Sequence, residues 1–258
     1  MPPGQRPAPR SLIVLANRQV TPHMQRLTLG GPGLADFPAG QEGGYVKLML
    51  PPAAGTERPL VRTYTIRAQR PGEIDVDFAL HGIGEAGDGS LGPATRWATA
   101  ARPGATILVG GPGPAKPLPP GFERYLIAGD MTALPAISVN LERLDRDARG
   151  LAVIRILDEA DRQAIDHPAG VELVWLVNAE PGTQASQLAD RLRAAGWSDE
   201  RVYAWAASEF SAMRALRAYL HDERGLGREQ LYRSSYWKHG DTEDVHKQVK
   251  RADAEAAA

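Results

Sequence analysis

Six consecutive residues, RTYTIR at positions 62–67, carry side chains suited to a flavin nucleotide. The planar guanidinium of Arg62 matches a pyrophosphate, the ring of Tyr64 can stack on an isoalloxazine, and the hydroxyl of Thr65 can hydrogen-bond the edge of that ring. Alternation along a strand puts Arg62 and Tyr64 on one face and Thr65 on the other. Thr65 therefore reaches the same ligand only if the strand bends or ends beside it. The alternative is an ordinary strand with surface charges.

A second segment suited to a phosphate begins the short helix predicted over residues 93–102. The first backbone N–H groups of a helix lack internal partners and carry partial positive charge, and small residues let a phosphate approach them. Gly92 and Ala94 are small, and Thr95 adds a hydroxyl. A loop followed by a helix that starts at proline is the alternative. Because Arg62 can hold the other side of a pyrophosphate, the phosphate interpretation is favoured.

Two strand ends in the second half of the chain lie where open α/β sheets bind ligands, at the carboxyl ends of their strands. Asp130 and Thr132 follow one strand, and Ser208 and Glu209 follow another. The segment GDMTA (129–133) lacks G-x-G-x-x-G and so is not a standard dinucleotide-binding motif. A nicotinamide nucleotide is nevertheless expected at this edge of the sheet. Ser208 also suits a helix N-cap, which is the alternative for that residue.

Basic residues near aromatic ones form a third candidate group. Arg233 and Lys238 flank Trp237 in the last predicted strand, and Lys47 lies within an apolar strand. An aromatic edge with neighbouring cations can cover a flavin and hold an anionic substrate. From spacing alone, Lys47 is expected to lie on a solvent-exposed face of the barrel. For Arg233 and Lys238 the alternative is an ordinary strand end with no ligand.

Composition excludes several classes of function. A net charge of −1 argues against nucleic-acid binding, and the absence of cysteine excludes disulfides, thiolate metal sites and cysteine nucleophiles. The six histidines lack the spacing of metal ligands, and no Ser/His/Asp ordering indicates a hydrolase. No intrinsic metal site is expected.

The N-terminal residues and the apolar runs predict a cytoplasmic protein. MPPGQRPAPR contains no apolar segment typical of a secretion signal. No apolar run approaches the roughly 18 residues that a membrane span requires. Nothing in the sequence demands more than a monomer.

The predicted elements divide the chain into two halves with different patterns. In the first, short runs with period-two alternation are separated by glycine and proline, which is typical of an antiparallel barrel or sandwich. These runs cover residues 11–21, 23–31, 45–51, 60–69, 73–81 and 105–111. In the second half strands alternate with helices, which predicts a parallel sheet with right-handed crossovers.

The elements of the second half are predicted as five strands and three helices. The first four strands cover 124–130, 151–157, 171–177 and 201–207, the last strand contains SSYW (234–237), and the helices cover 132–144, 184–196 and 208–220. The strands at 151–157 and 171–177 are continuously apolar and are predicted to be central. The linker at 110–123 is rich in proline and glycine. We therefore predict a disordered segment at 1–10, a β-barrel domain at 11–118 and an α/β domain at 119–258.

Taken together, these segments resemble the siderophore-interacting protein family, the ferric-siderophore reductases of the ferredoxin reductase superfamily. The resemblance runs from about residue 12 to 246 and rests on seven segments in the same order. They are RTYTIR (62–67), DFALHG (77–82), GPATRWA (92–98), GGPG (110–113), AGDMTALPAI (128–137), YAWAASEFSAMRALRAYL (203–220) and SSYWKHGDTED (234–244).

The resemblance implies an FAD-binding barrel followed by an NAD(P)H-binding-like α/β domain. FAD would be bound by Arg62, Thr63, Tyr64, Thr65, Asp77, Phe78, His81, Ala94, Thr95 and Trp97. The electron-donor pocket would be lined by Asp130, Thr132, Ala206, Ser208, Glu209 and Trp237. A negatively charged ferric siderophore would be held by Lys47, Arg233 and Lys238.

The activity implied is FAD-dependent reduction of a ferric siderophore that releases Fe(II), with electrons from NADPH, NADH or a ferredoxin. Two departures from the family pattern leave the donor open: Met131 stands where an acidic residue is usual, and PGPAKP follows Gly111 in place of a basic turn. The alternatives are a general NAD(P)H–flavin reductase that serves free flavin or a redox protein, and a carrier that binds iron chelates without turnover.

Overall fold

The computed structural model describes residues 8–52, 58–80, 92–197 and 199–256. The chain forms two compact units, which divide between Lys116 and Pro117. Each unit is built around its own apolar core.

The first unit is a closed six-stranded antiparallel barrel, as predicted. Its strands are β1 (Arg10–Thr21), β2 (Met24–Gly30), β3 (Tyr45–Leu50), β4 (Leu60–Arg70), β5 (Glu73–Ala79) and β6 (Thr106–Gly113). Their order around the barrel is β1-β2-β5-β4-β3-β6. A 3-10 turn covers Pro32–Leu34, and the one predicted helix, α1 (Pro93–Ala100), packs against β5.

Alternation along β5 separates the barrel interior from its outer face. Ile74, Val76 and Phe78 are fully buried in the core. Asp75 and Asp77 lie on the other face of the strand, where each carboxylate meets an arginine of a neighbouring strand or strand end. The period-two pattern read from the sequence is therefore confirmed for this strand.

The second unit is a five-stranded parallel sheet with helices, which confirms the predicted fold class. Its strands are β7 (Arg124–Asp130), β8 (Arg149–Ile156), β9 (Gly170–Val177), β10 (Val202–Glu209) and β11 (Leu231–Trp237). Its helices are α2 (Leu134–Glu142), α3 (Gln187–Ala194), α4 (Phe210–Arg217), which continues as π-helical turns over Ala218–Glu223, and α5 (Glu243–Ala256). The strand order is β11-β10-β7-β8-β9.

Two predictions about this unit were wrong in detail. The apolar strand β9 was expected at the centre of the sheet, yet it is an edge strand among the strands described. Val174 and Leu176 are only partly buried against the core, and an apolar run does not reveal how many neighbours a strand has. Helix α2 was expected to bury one face, but every residue from Leu134 to Leu141 is buried, while Leu144 lies beyond its end.

Among the helices of the residues described, none is long and apolar enough to cross a bilayer.

Candidate functional site

Tyr64 in the barrel rests on a row of aromatic rings. Its ring centroid lies 4.2 Å from that of Phe78 at an interplanar angle of 38°, and Phe78 lies 6.0 Å from Trp97 of α1. Phe78 is fully buried, whereas Tyr64 and Trp97 are partly buried. A fixed inner ring therefore supports two outer rings, and such pairs contribute about 0.5–1.5 kcal/mol beyond area burial.

The register of β4 confirms which residues share a face. Arg62 lies opposite Leu48 and Tyr64 opposite Val46, both of which face the core. Thr65 lies opposite Tyr45 on the other face. The pairing of β4 with β5 shifts between Ile66 and Ala68, immediately after Thr65. Such a shift bends a strand and redirects its side chains. A bend beside Thr65 is what that residue needs if it is to contact the same ligand as Tyr64.

The N-terminus of α1 has no side-chain cap. Gly92 occupies the N-cap position and Pro93 follows it, so the next backbone N–H groups point out of the helix without a capping oxygen from Gly92. A Cβ placed on Gly92 would meet nothing within 4 Å among the described atoms. Thr95 is buried at 5% exposure.

Asn17 of β1 fixes the other end of α1, and sequence reasoning missed this residue. Its Nδ2 donates to Ala98 O and Ala101 O, both at 2.8 Å, where the last carbonyls of the helix lack internal partners. Its Oδ1 accepts from Gln25 on β2 at 2.5 Å. No local motif announces this role, because the partners lie more than 80 positions apart.

Other residues predicted to bind the flavin have different surroundings. Both carboxylate oxygens of Asp77 accept from Arg26, at 2.5 and 2.6 Å, on the face of β5 opposite Phe78. Phe78 itself is inside the core, where it supports Tyr64. Thr63 is exposed and pairs with Lys47 on the outer face of the barrel. His81 lies outside the described residues.

The arrangement in the barrel fits an FAD molecule. A half-buried arginine and a supported tyrosine share one face of β4, and helix α1, which has no side-chain cap from Gly92, packs against the strand that carries Phe78. These supply a cation and helix N-terminal N–H groups for a pyrophosphate, and an aromatic face for a ring system.

In the second unit Asp130 joins the carboxyl ends of three strands. Its Oδ1 accepts from Thr132 N at 2.9 Å and Thr132 Oγ1 at 2.5 Å. Its Oδ2 accepts from Glu209 N at 2.7 Å and Trp237 Nε1 at 3.0 Å. Asp130 is 5% exposed, so its charge is compensated by these four donors.

Glu209, and not Ser208, caps helix α4, so the N-cap role given above as the alternative for Ser208 is wrong. Glu209 Oε2 accepts from Ser211 N at 2.5 Å and Ala212 N at 3.2 Å, and its Oε1 accepts from His239 N at 3.3 Å. Ser208 is still within β10, and its hydroxyl donates to the carbonyl of Glu209 at 3.2 Å. The strand is longer than the sequence indicated, so the cap falls one residue later.

Ala206 and Ser208 are fully buried, and Glu209 is nearly so. Thr132 and Trp237 are the half-buried members of the predicted donor pocket. Glycine at 129 allows the close packing of this edge, because a Cβ there would lie 2.6 Å from Ala207 O and 2.7 Å from Ile137 Cδ1. Met131, which departs from the family pattern, is buried at 4% exposure.

The predicted substrate cations lie in distinct environments. Lys47 is half-buried on β3. Lys238 Nζ forms an ion pair with Asp241 Oδ2 at 2.6 Å. Arg233 lies on the face of β11 covered by α4 and α5, beside Arg217 and Lys250.

Comparison with known proteins gives consistent matches for both units. The family described as "Siderophore-interacting FAD-binding domain" matches residues 13–58 and 53–116, and the family described as "Siderophore-interacting protein" matches residues 122–240. The chain is 30% identical over 262 residues to the ferric vibriobactin reductase ViuB of Vibrio cholerae, covering 94% of each protein.

Solved structures agree with this result. The siderophore-interacting protein SipS of Aeromonas hydrophila is 34% identical, with a TM-score of 0.83 over 96% of this chain and 98% of that one. A ferredoxin-NADP+ reductase of Plasmodium falciparum is 11% identical, with a TM-score of 0.63 over 88% of this chain and 96% of that one, and it shows the fold alone. The chain is therefore a member of the siderophore-interacting protein family, with the FAD-binding domain of that family and a ferredoxin reductase-like fold.

Proposed function

We propose that this protein is an FAD-dependent reductase that reduces the iron of a ferric siderophore and so releases Fe(II). The observation that carries the proposal is the contact of Phe78 with both Tyr64 and Trp97. One buried ring thereby links the strand that carries Arg62 to the helix with the uncapped N-terminus. The similarity to ViuB, named as a reductase of ferric vibriobactin, supports the same activity.

In this proposal the barrel binds and orients the cofactor. Arg62 holds the pyrophosphate, Tyr64 stacks on the isoalloxazine, and Thr65, next to the bend in β4, bonds the edge of that ring. The backbone N–H groups of Ala94 and Thr95 hold a phosphate oxygen, and Trp97 encloses the ligand from α1. Phe78 supports Tyr64 and Trp97 from inside the barrel, the Asp77–Arg26 pair joins β5 to β2, and neither need touch the ligand.

The electron donor is proposed to bind at the carboxyl edge of the parallel sheet. Thr132 and Trp237 present the half-buried surface there. Asp130 and Glu209 act as positioning residues, since their carboxylates are engaged by other protein groups. The proposed donor is NADPH, NADH or a ferredoxin.

A negatively charged ferric siderophore is proposed to be attracted by Lys47 and Lys238. When bound, FAD supplies redox chemistry that can take electrons in pairs and give them singly to iron. The protein itself needs no nucleophile, because its side chains bind, orient and exclude water. Release of the metal follows reduction, since the hard oxygen donors of siderophores hold Fe(III) far more tightly than Fe(II).

An anaerobic absorption titration tests this function. NADPH or NADH is added to the FAD-loaded protein, followed by a ferric catecholate or a ferric hydroxamate with an Fe(II) indicator. We expect the flavin bands to bleach with one nucleotide and to return with the chelate, with stoichiometric Fe(II) trapped. The control is the same titration with the iron-free siderophore, which should leave the bleached flavin unchanged.

Other outcomes identify the alternatives. If neither nucleotide bleaches the flavin but reduced ferredoxin does, the electron donor is a ferredoxin. A reduced flavin that transfers to free flavin or ferredoxin but not to chelates indicates a general reductase. A protein that binds both FAD and chelate without any spectral turnover is a carrier.

A further inference from the structure

A cationic cavity in the second unit lies between α4, β11 and α5. It has a volume of ≈ 110 Å³ and is partly open to solvent. Four basic side chains line it, against one carboxylate, that of Asp253. These are Arg214, Arg217, Arg233 and Lys250.

The single carboxylate is already occupied by two of the four cations. Asp253 Oδ2 lies 2.6 Å from Arg217 Nη1, and its Oδ1 lies 3.8 Å from Arg214 Nε. Lys250 Nζ donates to neutral acceptors, Ser234 Oγ at 2.7 Å and Ser235 O at 2.9 Å. The cavity therefore keeps a surplus of positive charge.

Arg233 carries the clearest sign of a missing anion. Its Nη1 is buried and has no hydrogen-bond partner in the part of the chain that the structure describes. A buried donor left without a partner is unfavourable, and more so when it belongs to a charged group. An arginine cannot relieve this by losing its proton, because its guanidinium stays charged in proteins.

The electrostatic setting of the two inner cations agrees with this geometry. Burial lowers the pKa of Arg233 and the nearby charge of Arg217 lowers it further, and together they outweigh Asp222 and Asp253, which raise it. The Lys250 residue is largely exposed, but burial around its ammonium lowers its pKa as well. A bound anion would favour the charged form of both groups.

We propose that this cavity binds a small tetrahedral oxyanion, either free phosphate or the phosphate group of a monoester, between Arg233, Arg217 and Lys250. Guanidinium and ammonium groups beside serine hydroxyls are the donors that phosphate takes in proteins. The volume is well below the roughly 300–1,000 Å³ of ordinary small-molecule pockets, which favours a small anion over a ferric siderophore as the occupant. In this proposal Arg233 binds the small oxyanion, and Lys47 and Lys238 are the cations left to attract the siderophore.

Titration calorimetry with inorganic phosphate tests the proposal. The FAD-loaded protein is used so that the flavin's own phosphate site is filled, and sodium chloride at equal ionic strength is the blank. We expect one saturable site whose affinity falls tenfold or more in Arg233→Gln and in Lys250→Gln. The matched control Lys247→Gln, an exposed lysine on the same helix, should bind phosphate like the wild type.

The two possible sources of the phosphate are separated by a second titration. Adenosine monophosphate that competes with inorganic phosphate, and loses affinity in Arg233→Gln, identifies a monoester as ligand. Phosphate binding without such competition identifies the free oxyanion. Circular dichroism and retained flavin establish that each variant is folded.

Two results would overturn the proposal. One is the absence of heat beyond the chloride blank. The other is an equal affinity for phosphate in Arg233→Gln, Lys250→Gln and Lys247→Gln. Because binding is read without turnover, either result leaves the proposed reductase activity untouched, and loss of that activity leaves this site untouched.

Discussion

Trp237 Nε1 donates a hydrogen bond to Asp130 Oδ2 at 3.0 Å, across 107 positions of the chain. The same oxygen accepts from Glu209 N at 2.7 Å. The end of β7 is therefore tied to the ends of β10 and β11 through one buried carboxylate. This contact sets the shape of the edge at which we propose that the electron donor binds.

Replacing Trp237 by phenylalanine should destabilise the second unit. The buried carboxylate of Asp130 loses one of its four donors, and a hydrogen bond to a charged group contributes about 1.5–3 kcal/mol. Urea unfolding followed by far-UV circular dichroism measures the loss. The control is Trp175→Phe, a half-buried tryptophan of the edge strand β9. Equal midpoints for the two variants would contradict the role given to the Trp237 indole.

The capping of α4 can be tested with two adjacent substitutions. Glu209→Ala removes the carboxylate that accepts from Ser211 N and Ala212 N, and loss of an N-cap costs about 0.5–2 kcal/mol. Ser208→Ala removes one neutral hydrogen bond and should cost less, about 0.5–1.5 kcal/mol at most. Thermal or urea unfolding ranks the two. A larger effect for Ser208→Ala would restore the serine as the cap.

Arg62→Ala should release FAD while the barrel remains folded. A charge-assisted contact is worth about 1.5–3 kcal/mol, so the Kd for FAD should rise by at least about tenfold. Quenching of flavin fluorescence during titration of the apoprotein measures this Kd. Arg146→Ala, which removes an exposed arginine from the second unit, is the charge-matched control and should bind FAD normally. Stoichiometric FAD retained by Arg62→Ala at wild-type affinity would remove Arg62 from the site.

The barrel should lose stability in acid through Asp75. Burial raises the pKa of Asp75, but hydrogen bonds from Arg70 and Thr28 outweigh this, and the net pKa lies below its usual value. A lowered native pKa gives stability above the unfolded pKa of about 3.9, which is lost as the pH falls through the native value. Urea midpoints from pH 6 to pH 2.5 should therefore fall less steeply in Asp75→Asn than in the wild type.

The control for this dependence is Asp36→Asn, because the Asp36 side chain is 79% exposed beside Arg10. An exposed pair contributes little, so its removal should leave the acid slope unchanged. Identical slopes for the wild type and Asp75→Asn would show that the Arg70–Asp75 pair does not couple folding to pH.

The sequence by itself determined the kind of each element and the fold class. Alternation such as that of Ile74, Val76 and Phe78 depends only on the geometry of a strand, so it is legible without tertiary contacts. The same holds for Gly196, which follows α3 with φ of +77° as a C′ glycine should. The segment 62–67 pointed to the face that Arg62 and Tyr64 share, because that too is a matter of alternation.

Only the tertiary structure decided which side chains meet. The edge position of β9, the contact of Glu209 with His239 and the helix contact of Asn17 all depend on partners far away in the chain. Arg233 looked like its neighbour Lys238 in the sequence, yet it lies in a cavity with residues of α4 and α5. The local sequence pattern predicts which face of its own helix or strand a side chain lies on. The burial of that side chain and the compensation of its charge depend on the other elements that pack against that face.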